Sequence, residues 1–398
     1  MREVAIIGVG MTKFGKFLDK SIKDLGQEAI WKSIHDTGID PKQIQAAYVG
    51  NGLAGVITGQ EGVRGQVILR HAGFSDIAIV NVEGACASST IALREGMIAV
   101  GAGVYDTVLC LGVEKMFCYD TSRTLFALST DTDIETMGGI GFTFVAKYAM
   151  DMRKCMEKYG WTQEHFAIVA AKNKYNGSLN PFAQYQEPMT VEEILNSRVV
   201  AYPLTLYMCS SPADGAAAVI ICARKSAHKY TSKPIITIGA CEISSIHLPN
   251  FQAKTPGDLD FEAYELPVKA AYEKAGVGPQ DIEVAEVHDA MSPAELRGYI
   301  VLGFCKGEEI PAWLNQRKTF LRGDLPVNPS GGLAARGHPV GATGLAQISE
   351  LVWQLRGEAG ARQVLGRTGK GPRIALAQNA GGFIEGEPAV SMCTILKR

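Results

Sequence analysis

The feature that most constrains the fold of this chain is a regular alternation of short apolar runs with segments of helical spacing. The opening run EVAIIGVG ends at a glycine and is typical of a buried strand, and SIKDLGQEAIWKSIHDTG then repeats its apolar residues at helical spacing. Further runs of both kinds follow in order: IQAAYVGNG, EGVRGQVILRHAG, IAIVNVEGA, SSTIALREGMIAVGAG and TVLCLGVEKM. This alternation predicts an α/β fold with helices packed on both faces of a sheet.

The alternation occurs twice, which predicts two similar halves. A second strand–helix series begins at residue 234 and includes IITIGACEI, IEVAEVHDA, GATGLAQISELVWQLRG and RIALAQNAGG. Helical segments at about 117–200 interrupt the first series and are read as an insertion. We expect an N-terminal half over 1–233 that includes the insertion, and a C-terminal half over 234–398. No low-complexity linker divides the halves, so they should form one compact unit.

Composition excludes several classes of protein. Lys plus Arg number 39 and Asp plus Glu 41, without a basic run, which argues against a nucleic-acid partner. No apolar stretch reaches the roughly 18–20 residues of a membrane span, and the N-terminus reads as a strand and not as a signal peptide. The nine cysteines are scattered without a CxxC pair. They predict free thiols in a reducing cytoplasm, with neither disulfides nor a bound metal.

One cysteine, Cys86, stands where a strand pattern turns into a helix pattern, in NVEGACASSTIALREGM. The thiolate is the reactive form of cysteine, and a helix N-terminus lowers the pKa of a thiol through its free N–H groups. The helix is predicted to start directly after Cys86, with Ser88 and Ser89 as candidates for its N-cap. The context is similar to the sharp turn that presents a nucleophile, and a buried structural thiol fits it equally.

Three further turns carry candidate site residues. In NPSGGLAARGHPVGATGLAQ, glycines surround His338, and a histidine there can take a proton from a nearby thiol. His288 follows a predicted strand in EVAEVHDAMSPAEL, at the edge where open α/β sheets bind ligands. Asn379 and Gly381 lie in ALAQNAGGF, whose glycine N–H groups can stabilise an oxyanion. Each turn by itself also fits an ordinary structural loop.

Together the four turns resemble the thiolase superfamily. The Cys-Ala-Ser element at 86–88, the HDAM element at 288–291, the Gly-His-Pro element at 337–339 and the closing glycine-rich turn occur in the family's order. The resemblance covers nearly the whole chain. The histidine of HDAM is similar to sterol-carrier-protein-type and archaeal thiolases, where it replaces an asparagine of the biosynthetic thiolases.

The resemblance implies two similar βαβαβ lobes in an α-β-α-β-α five-layer arrangement, with a helical loop-domain insertion. Each lobe would hold a mixed five-stranded sheet. The helix after Cys86 would be one of two central helices between the sheets, and its apolar character fits burial on all sides. Arg94 and Glu95 are the exceptions on this helix, so we expect them to pair or to reach an interface.

By the same resemblance, the chain is an acyltransferase that cleaves a β-ketoacyl-CoA with coenzyme A. Cys86 would attack the substrate and hold the acyl group, with His338 as its general base. His288 and His338 would together donate to the thioester oxygen of the second substrate. The N–H groups of Cys86 and Gly381 would form the other oxyanion hole. Coenzyme A would be a substrate, and no cofactor would be bound permanently.

The chain departs from the family at the second acid/base cysteine. Conventional thiolases carry it where this chain has Asn379, and sterol-carrier-protein-type thiolases often carry it where this chain has Ala290. Neither residue transfers a proton at neutral pH. The candidates for this role are His288, Tyr119, Cys118, Tyr207 and Cys209.

This departure keeps other functions open: a retro-aldolase on acyl-CoA side chains, a condensing enzyme that forms acetoacetyl-CoA or hydroxymethylglutaryl-CoA, or a non-catalytic scaffold subunit. It also favours a bulky or aromatic acyl group, such as that of benzoylsuccinyl-CoA, over acetoacetyl-CoA. The aromatic-rich insertion at 117–200 would cover the acyl pocket, while most of its aromatic residues would belong to an apolar helical core. The resemblance further implies a homodimer core and a small separate partner with a zinc-ribbon and an OB-fold.

Overall fold

The computed structural model describes residues 1–137, 141, 143–245 and 261–398. Its strands are β1 Val4–Met11, β2 Ala46–Gly50, β3 Ala78–Val82, β4 Thr107–Glu114, β5 Val199–Ala201, β6 Leu204–Thr205, β7 Gly215–Ala223, β8 Ile236–Ser245, β9 Val284–Glu286, β10 Ile374–Ile384 and β11 Glu387–Lys397. Its helices are α1 Ile22–Thr37, α2 Ala54–Thr58, α3 Arg64–His71, α4 Ser88–Ala102, α5 Thr121–Ser129, α6 Ile134–Met137, α7 Phe144–Tyr159, α8 Gln163–Ser178, α9 Val191–Leu195, α10 Glu262–Ala275, α11 Ala294–Val301, α12 Ile310–Asn315, α13 Gly332–Arg336 and α14 Thr343–Arg356. All the strands and long helices named from the sequence are present.

Local signals explain where these elements begin and end. Helix α1 starts at Ser21, whose side chain forms a capping box with Asp24, and ends at Gly38, which has the left-handed φ of 77°. Strands β1, β4 and β7 are buried along their whole length, which accounts for their uninterrupted apolar runs. Among the described helices none is both long and apolar enough to cross a lipid bilayer.

The strand order repeats in the two halves. The first half pairs in the order β3-β2-β4-β7-β1 and the second in the order β8-β11-β10-β9. In the second half, the position next to β9 is taken by Val327, which forms a single parallel bridge with Ala285. The second sheet therefore has four strands and a bridge where five strands were expected. Residues 5–6 of β1 pair with residues 236–237 of β8, so the two sheets form one continuous nine-stranded sheet.

Two helices lie between the halves, as the sequence predicted. Helix α4 contacts β2, β4 and β8, helix α14 contacts β1, β7 and β10, and the two helices contact each other. Helix α1 packs on β1 and β7 on one outer face, while α10 packs on β8 and β11 on the other. This gives the five-layer arrangement. The boundary at 233/234 lies in the loop before β8 and stays a prediction.

The two charged residues of α4 pair with each other, as expected, since Arg94 Nη1 lies 2.9 Å from Glu95 Oε1. The predicted capping by serines is wrong, because the N-cap is Ala87 and no side chain caps α4. Ser89 Oγ instead accepts a hydrogen bond of 3.1 Å from the N–H of Leu345 in the first turn of α14. A side chain of α4 therefore accepts a hydrogen bond from one of the N-terminal N–H groups of α14, which have no partner within their own helix.

Candidate active site

Cys86 lies in a tight turn between β3 and α4. Ala85, just before it, has a φ of 49°, which is a left-handed conformation that residues with a side chain rarely adopt. Ser88 Oγ stabilises the turn, because it accepts from the N–H of Gly84 (3.0 Å) and donates to the carbonyl of Ala85 (2.7 Å). Strained backbone that its surroundings fix in this way is typical of functional positions. The turn matches the predicted strand–turn–helix around Cys86. A nucleophilic role of its thiol stays a prediction.

His338 approaches Cys86 from the loop before α14. Its Nε2 lies 3.2 Å from Cys86 Sγ, and its Nδ1 lies 2.7 Å from Thr343 Oγ1. The Thr343 hydroxyl donates its proton to the carbonyl of Pro339 at 3.0 Å, so toward the histidine it acts as an acceptor. Nδ1 therefore carries the ring proton, and Nε2 is left as an acceptor for the thiol proton of Cys86.

A buried carboxylate holds the His338 loop in place. Glu114, at the end of β4, accepts from the N–H groups of Gly341 (2.8 Å), Gly52 (3.0 Å) and Leu53 (3.2 Å). The side chain of Asn51 adds a further hydrogen bond of 2.9 Å. Glu114 thus ties the loop of the second half to a turn of the first half.

The loop also depends on a close approach of the two central helices. A Cβ on Gly344 would lie 1.9 Å from Thr90 Oγ1 on α4, so this position at the start of α14 admits only glycine. The glycine-rich stretch around His338 therefore has a packing cause that the sequence could not specify.

His288 is placed by the neighbouring strand β10, which runs parallel to β9. Asn379 Nδ2 lies 3.2 Å from His288 Nδ1, and Asn379 Oδ1 accepts from Thr90 Oγ1 at 3.2 Å, which orients the amide. The amide N–H therefore donates to Nδ1, and the ring proton of neutral His288 sits on Nε2. The two histidine rings meet edge to face with centroids 5.3 Å apart, so His288 presents a fixed N–H donor beside the Cys86–His338 pair.

The resting site is electrically neutral. Burial, then the neighbouring carboxyl groups of Asp131 and Glu114, raises the pKa of the Cys86 thiol well above its usual range. Burial, then the charge of Arg336, lowers the pKa of His338 to about 3. Burial, then His338, lowers the pKa of His288 well below its usual range. A thiol and two neutral imidazoles therefore face one another at neutral pH.

These three residues line a mostly apolar cavity of about 240 Å³. Its apolar lining comes from the segment after β4, from the insertion, from the loop around His288 and from β10, namely Met116, Leu125, Leu128, Phe144, Val145, Tyr148, Met291 and Phe383. Asp131, Gly381 and Gly382 complete the wall near Cys86. All the aromatic wall residues except Phe383 come from the insertion that the sequence predicted to cover an acyl pocket.

The predicted turn at Asn379 and Gly381 is wrong, because both residues lie inside β10 and pair with β11. Gly381 is needed there for the approach of β10 to Cys86. A Cβ there would lie 2.3 Å from the carbonyl oxygen of Gly84 and 2.9 Å from the backbone nitrogen of Cys86. The backbone N–H groups that lower the pKa of the Cys86 thiol are its own and that of Gly382. The predicted oxyanion role of Gly381 stays a prediction.

Of the five candidates for the second acid/base, only His288 lines the cavity. Tyr119 is 90% exposed, and Tyr207 lines a separate surface cleft. Cys118 and Cys209 donate to main-chain carbonyls, those of Asp120 and Thr205, outside the cavity wall. Sequence reasoning missed Thr343, Glu114 and Asp131, because nothing in their local pattern distinguishes them from ordinary helix, strand and loop residues.

Cys86 Sγ and the ring nitrogens of His288 and His338 lie within 4.8 Å of one another and are the donors that zinc prefers. The same set of groups serves nucleophilic catalysis, in which the thiol proton must pass to an imidazole. The Cys86–His338 hydrogen bond and the proton on His288 Nε2 match the second use. Within the described ranges, this is the single such cluster.

Comparison with known proteins places the chain in a family. The family models described as "Thiolase, N-terminal domain" and "Thiolase C-terminal domain-like" match residues 4–225 and 249–396. An acetyl-CoA acetyltransferase of Methanothermobacter thermautotrophicus is 43% identical over 383 residues, which cover 96% of this chain and 97% of that protein. The benzoylsuccinyl-CoA thiolase subunit BbsB of Thauera aromatica is 35% identical, with 96% and 95% covered.

Two further proteins extend the comparison. Human sterol carrier protein 2 is 34% identical, with 96% of this chain and 70% of that protein covered. Among solved structures, the Ltp2-ChsH2(DUF35) aldolase superposes with a TM-score of 0.80 at 22% identity, covering 98% of this chain and 97% of that one. At 22% identity, this similarity shows a shared fold and nothing further. The two family models and the three relatives show that the chain belongs to the thiolase family and is an acyl-CoA acyltransferase of that family.

Proposed function

We propose that this acyltransferase cleaves a β-ketoacyl-CoA with coenzyme A through an acyl group held on Cys86. One observation carries the proposal: Cys86 Sγ lies 3.2 Å from a histidine nitrogen whose other ring nitrogen carries the proton. A thiol and an imidazole in this state are ready for proton transfer when an electrophile arrives.

In the first step, the Cys86 thiol passes its proton to His338 Nε2, and the sulfur attacks the β-keto carbon of the substrate. The bond between the α and β carbons breaks, which leaves the acyl group on Cys86 and an enolate on the departing acyl-CoA. The negative thioester oxygen of that enolate is the charge that the His288 Nε2–H would stabilise. Removing one such donor typically costs about 10²–10³ in rate.

In the second step, coenzyme A takes the acyl group. Its sulfur attacks the acyl carbon, the bond to Cys86 breaks, and the Cys86 thiol is restored. Coenzyme A is thus a substrate, and the proposal includes no permanently bound cofactor. Because the pKa of the Cys86 thiol is raised, the sulfur stays protonated at neutral pH and is a poor nucleophile at rest, so His338 has to remove its proton during the reaction.

The acyl group is proposed from the cavity wall. Phe144, Tyr148 and Phe383 offer aromatic faces, which favour a bulky or aromatic acyl group such as the one named for the Thauera relative. The name of the 43% identical relative favours a small acyl group and supports a second candidate, the condensing synthesis of acetoacetyl-CoA. A panel of β-ketoacyl-CoA substrates, from acetoacetyl to aryl, separates the two by kcat/KM.

The decisive experiment is intact-protein mass spectrometry after brief exposure to acetyl-CoA and bulkier acyl-CoA thioesters. The wild type should gain one acyl mass, and the Cys86→Ala variant should gain none. Cys209→Ala is the matched control, since Cys209 is a half-buried thiol outside the cavity. Absence of any adduct in the wild type would overturn the covalent mechanism and favour a retro-aldolase or a scaffold subunit.

Two partners belong to the proposal. The Thauera relative is named a subunit, and the aldolase structure names a DUF35 component, which supports a small zinc-ribbon and OB-fold partner for this chain. A second copy of the chain would pair at β3, which lies at the edge of the sheet and exposes Val80. Light scattering of the purified chain tests the dimer.

All nine cysteines are free, which supports placement in a reducing cytoplasm.

A further inference from the structure

Thiolysis needs a proton carrier that Cys86 and His338 do not provide while they hold the acyl group and the first proton. The departing enolate must gain a proton at its α carbon, and coenzyme A must lose its thiol proton before it attacks. Asn379 and Ala290 occupy the two positions where the family places a cysteine for this purpose. The need for this carrier rests on the proposed function, and the carrier has to line the cavity to reach the substrate.

Five ionisable residues line the cavity: Cys86, Asp131, Tyr148, His288 and His338. His288 is unsuited, because Asn379 occupies its Nδ1 and its lowered pKa keeps a second proton off the ring. Tyr148 is unsuited as well, because burial raises the pKa of its phenol beyond reach at neutral pH. The Cys86–His338 pair is committed to the first proton. Asp131 remains.

The backbone fixes Asp131 next to the nucleophile. Its carbonyl accepts a hydrogen bond of 3.0 Å from the N–H of Phe383, and Thr132 forms a parallel bridge with the same residue. A Cβ on Gly382 would lie 2.9 Å from the Asp131 carbonyl oxygen. The end of α5 is therefore joined to the stretch of β10 that packs against Cys86.

The carboxyl of Asp131 is free to act. In the ranges that the structure describes, no hydrogen-bond donor and no cation acts on it, and only burial and the charges of Glu114 and Glu83 affect its pKa. Glu114, the other carboxyl whose charge acts on Cys86, accepts three main-chain N–H groups and lies outside the cavity wall. Burial, then the charges of Glu114 and Glu83, raises the pKa of Asp131 well above its usual range. A group with a raised pKa can hold a proton for the enolate and accept one later.

We propose that Asp131 is the second acid/base of the reaction, in place of the missing cysteine. In the first half-reaction, its carboxylic acid gives its proton to the α carbon of the enolate, and the shortened acyl-CoA leaves. In the second half, the carboxylate takes the thiol proton of coenzyme A. The coenzyme A sulfur forms its bond to the acyl carbon as the bond to Cys86 breaks. The proton on His338 returns to the Cys86 sulfur, and both residues regain their starting states.

The test separates acylation from acyl transfer. p-Nitrophenyl acetate acylates a nucleophilic thiol, and its leaving group departs without a proton, so Asp131→Asn should acylate Cys86 as fast as the wild type. Transfer of that acetyl group to coenzyme A, followed by intact mass, should slow by about 10²–10⁴-fold, the usual contribution of a general acid or base. Asp133→Asn is the matched control, because Asp133 is a half-buried carboxylate two residues away that does not line the cavity.

Formate supplies a second readout that a structural role would not change. In Asp131→Ala, added formate should restore transfer to coenzyme A in proportion to its concentration, and it should leave Asp133→Asn unaffected. Wild-type transfer rates in Asp131→Asn would overturn the inference and assign both protons to His338. Slow transfer in Asp131→Asn and Asp131→Ala, with no rescue of Asp131→Ala by formate, would also overturn the inference. A wild type that forms no adduct at Cys86 would refute the proposed function instead.

Discussion

The orientation of His338 offers a quantitative test of the site. Thr343→Val replaces the hydroxyl that accepts from His338 Nδ1 at 2.7 Å with a methyl group of similar size. The required tautomer then leaves its Nδ1–H buried without an acceptor, because His338 is 8% exposed. A buried unsatisfied donor costs about 1–3 kcal/mol. The other tautomer carries its proton on Nε2, where it blocks proton transfer from Cys86.

That cost translates directly into rate. If the competent tautomer becomes less favourable by about 1–3 kcal/mol, Cys86 acylation slows by about 5- to 150-fold, since 1.36 kcal/mol corresponds to a factor of ten. Thr343→Ser is the matched control, because it keeps the hydroxyl and removes one methyl group, at a stability cost of about 1 kcal/mol. Stopped-flow acylation with p-nitrophenyl acetate measures both variants. Equal acylation rates for Thr343→Val and the wild type would refute the tautomer assignment.

Three further predictions concern reactivity and stability. Because the pKa of Cys86 is raised, the rate of its alkylation by iodoacetamide should still increase with pH at values where the rate for a free cysteine peptide is already constant. Peptide mass mapping measures this rate, and a rate that becomes constant near neutral pH would contradict the prediction. Gly381→Ala should abolish acylation and lower the free energy of unfolding by about 1–3 kcal/mol through overpacking, while Gly62→Ala, with open space around it, should change neither. Glu295→Gln should lower the free energy of unfolding by about 3–5 kcal/mol in urea titrations, because buried Lys172 loses its ionic partner; a change under 1 kcal/mol would show the pair to be dispensable.

Burial pattern and helical period made the long elements predictable from sequence. The strands β1, β4 and β7 are buried along their length and therefore appear in the sequence as apolar runs. Ser21 and Gly38 mark the start and the end of α1. Short helices were not predicted, because one or two turns hold too few residues to display a period. α2, α9 and α13 have five residues each, and their stability comes from tertiary contacts.

The sequence alone named the four motifs that meet at the candidate site, because together they resemble one family, although each by itself also fits a structural loop. It could not determine how they meet. The proton positions on His338 and His288 depend on Thr343 and Asn379, and the placement of Asn379 depends on Thr90 of the opposite central helix. These are contacts between groups far apart in the chain.

The same reason explains the two serines after Cys86 and the carboxyl of Asp131. The sequence predicted Ser88 and Ser89 as caps of their own helix, but in the tertiary structure the Ser89 hydroxyl accepts a hydrogen bond from the N-terminus of α14. Asp131 reads as a polar loop residue, and only the pairing of Thr132 with Phe383 brings it to the wall beside Cys86. Local pattern thus predicted the strand–turn–helix around Cys86, the alternation of strands and helices, and the order of the motifs. The proton positions, and the placement of Asp131 on which its proposed acid/base role rests, depend on packing between the two halves, which no local pattern encodes.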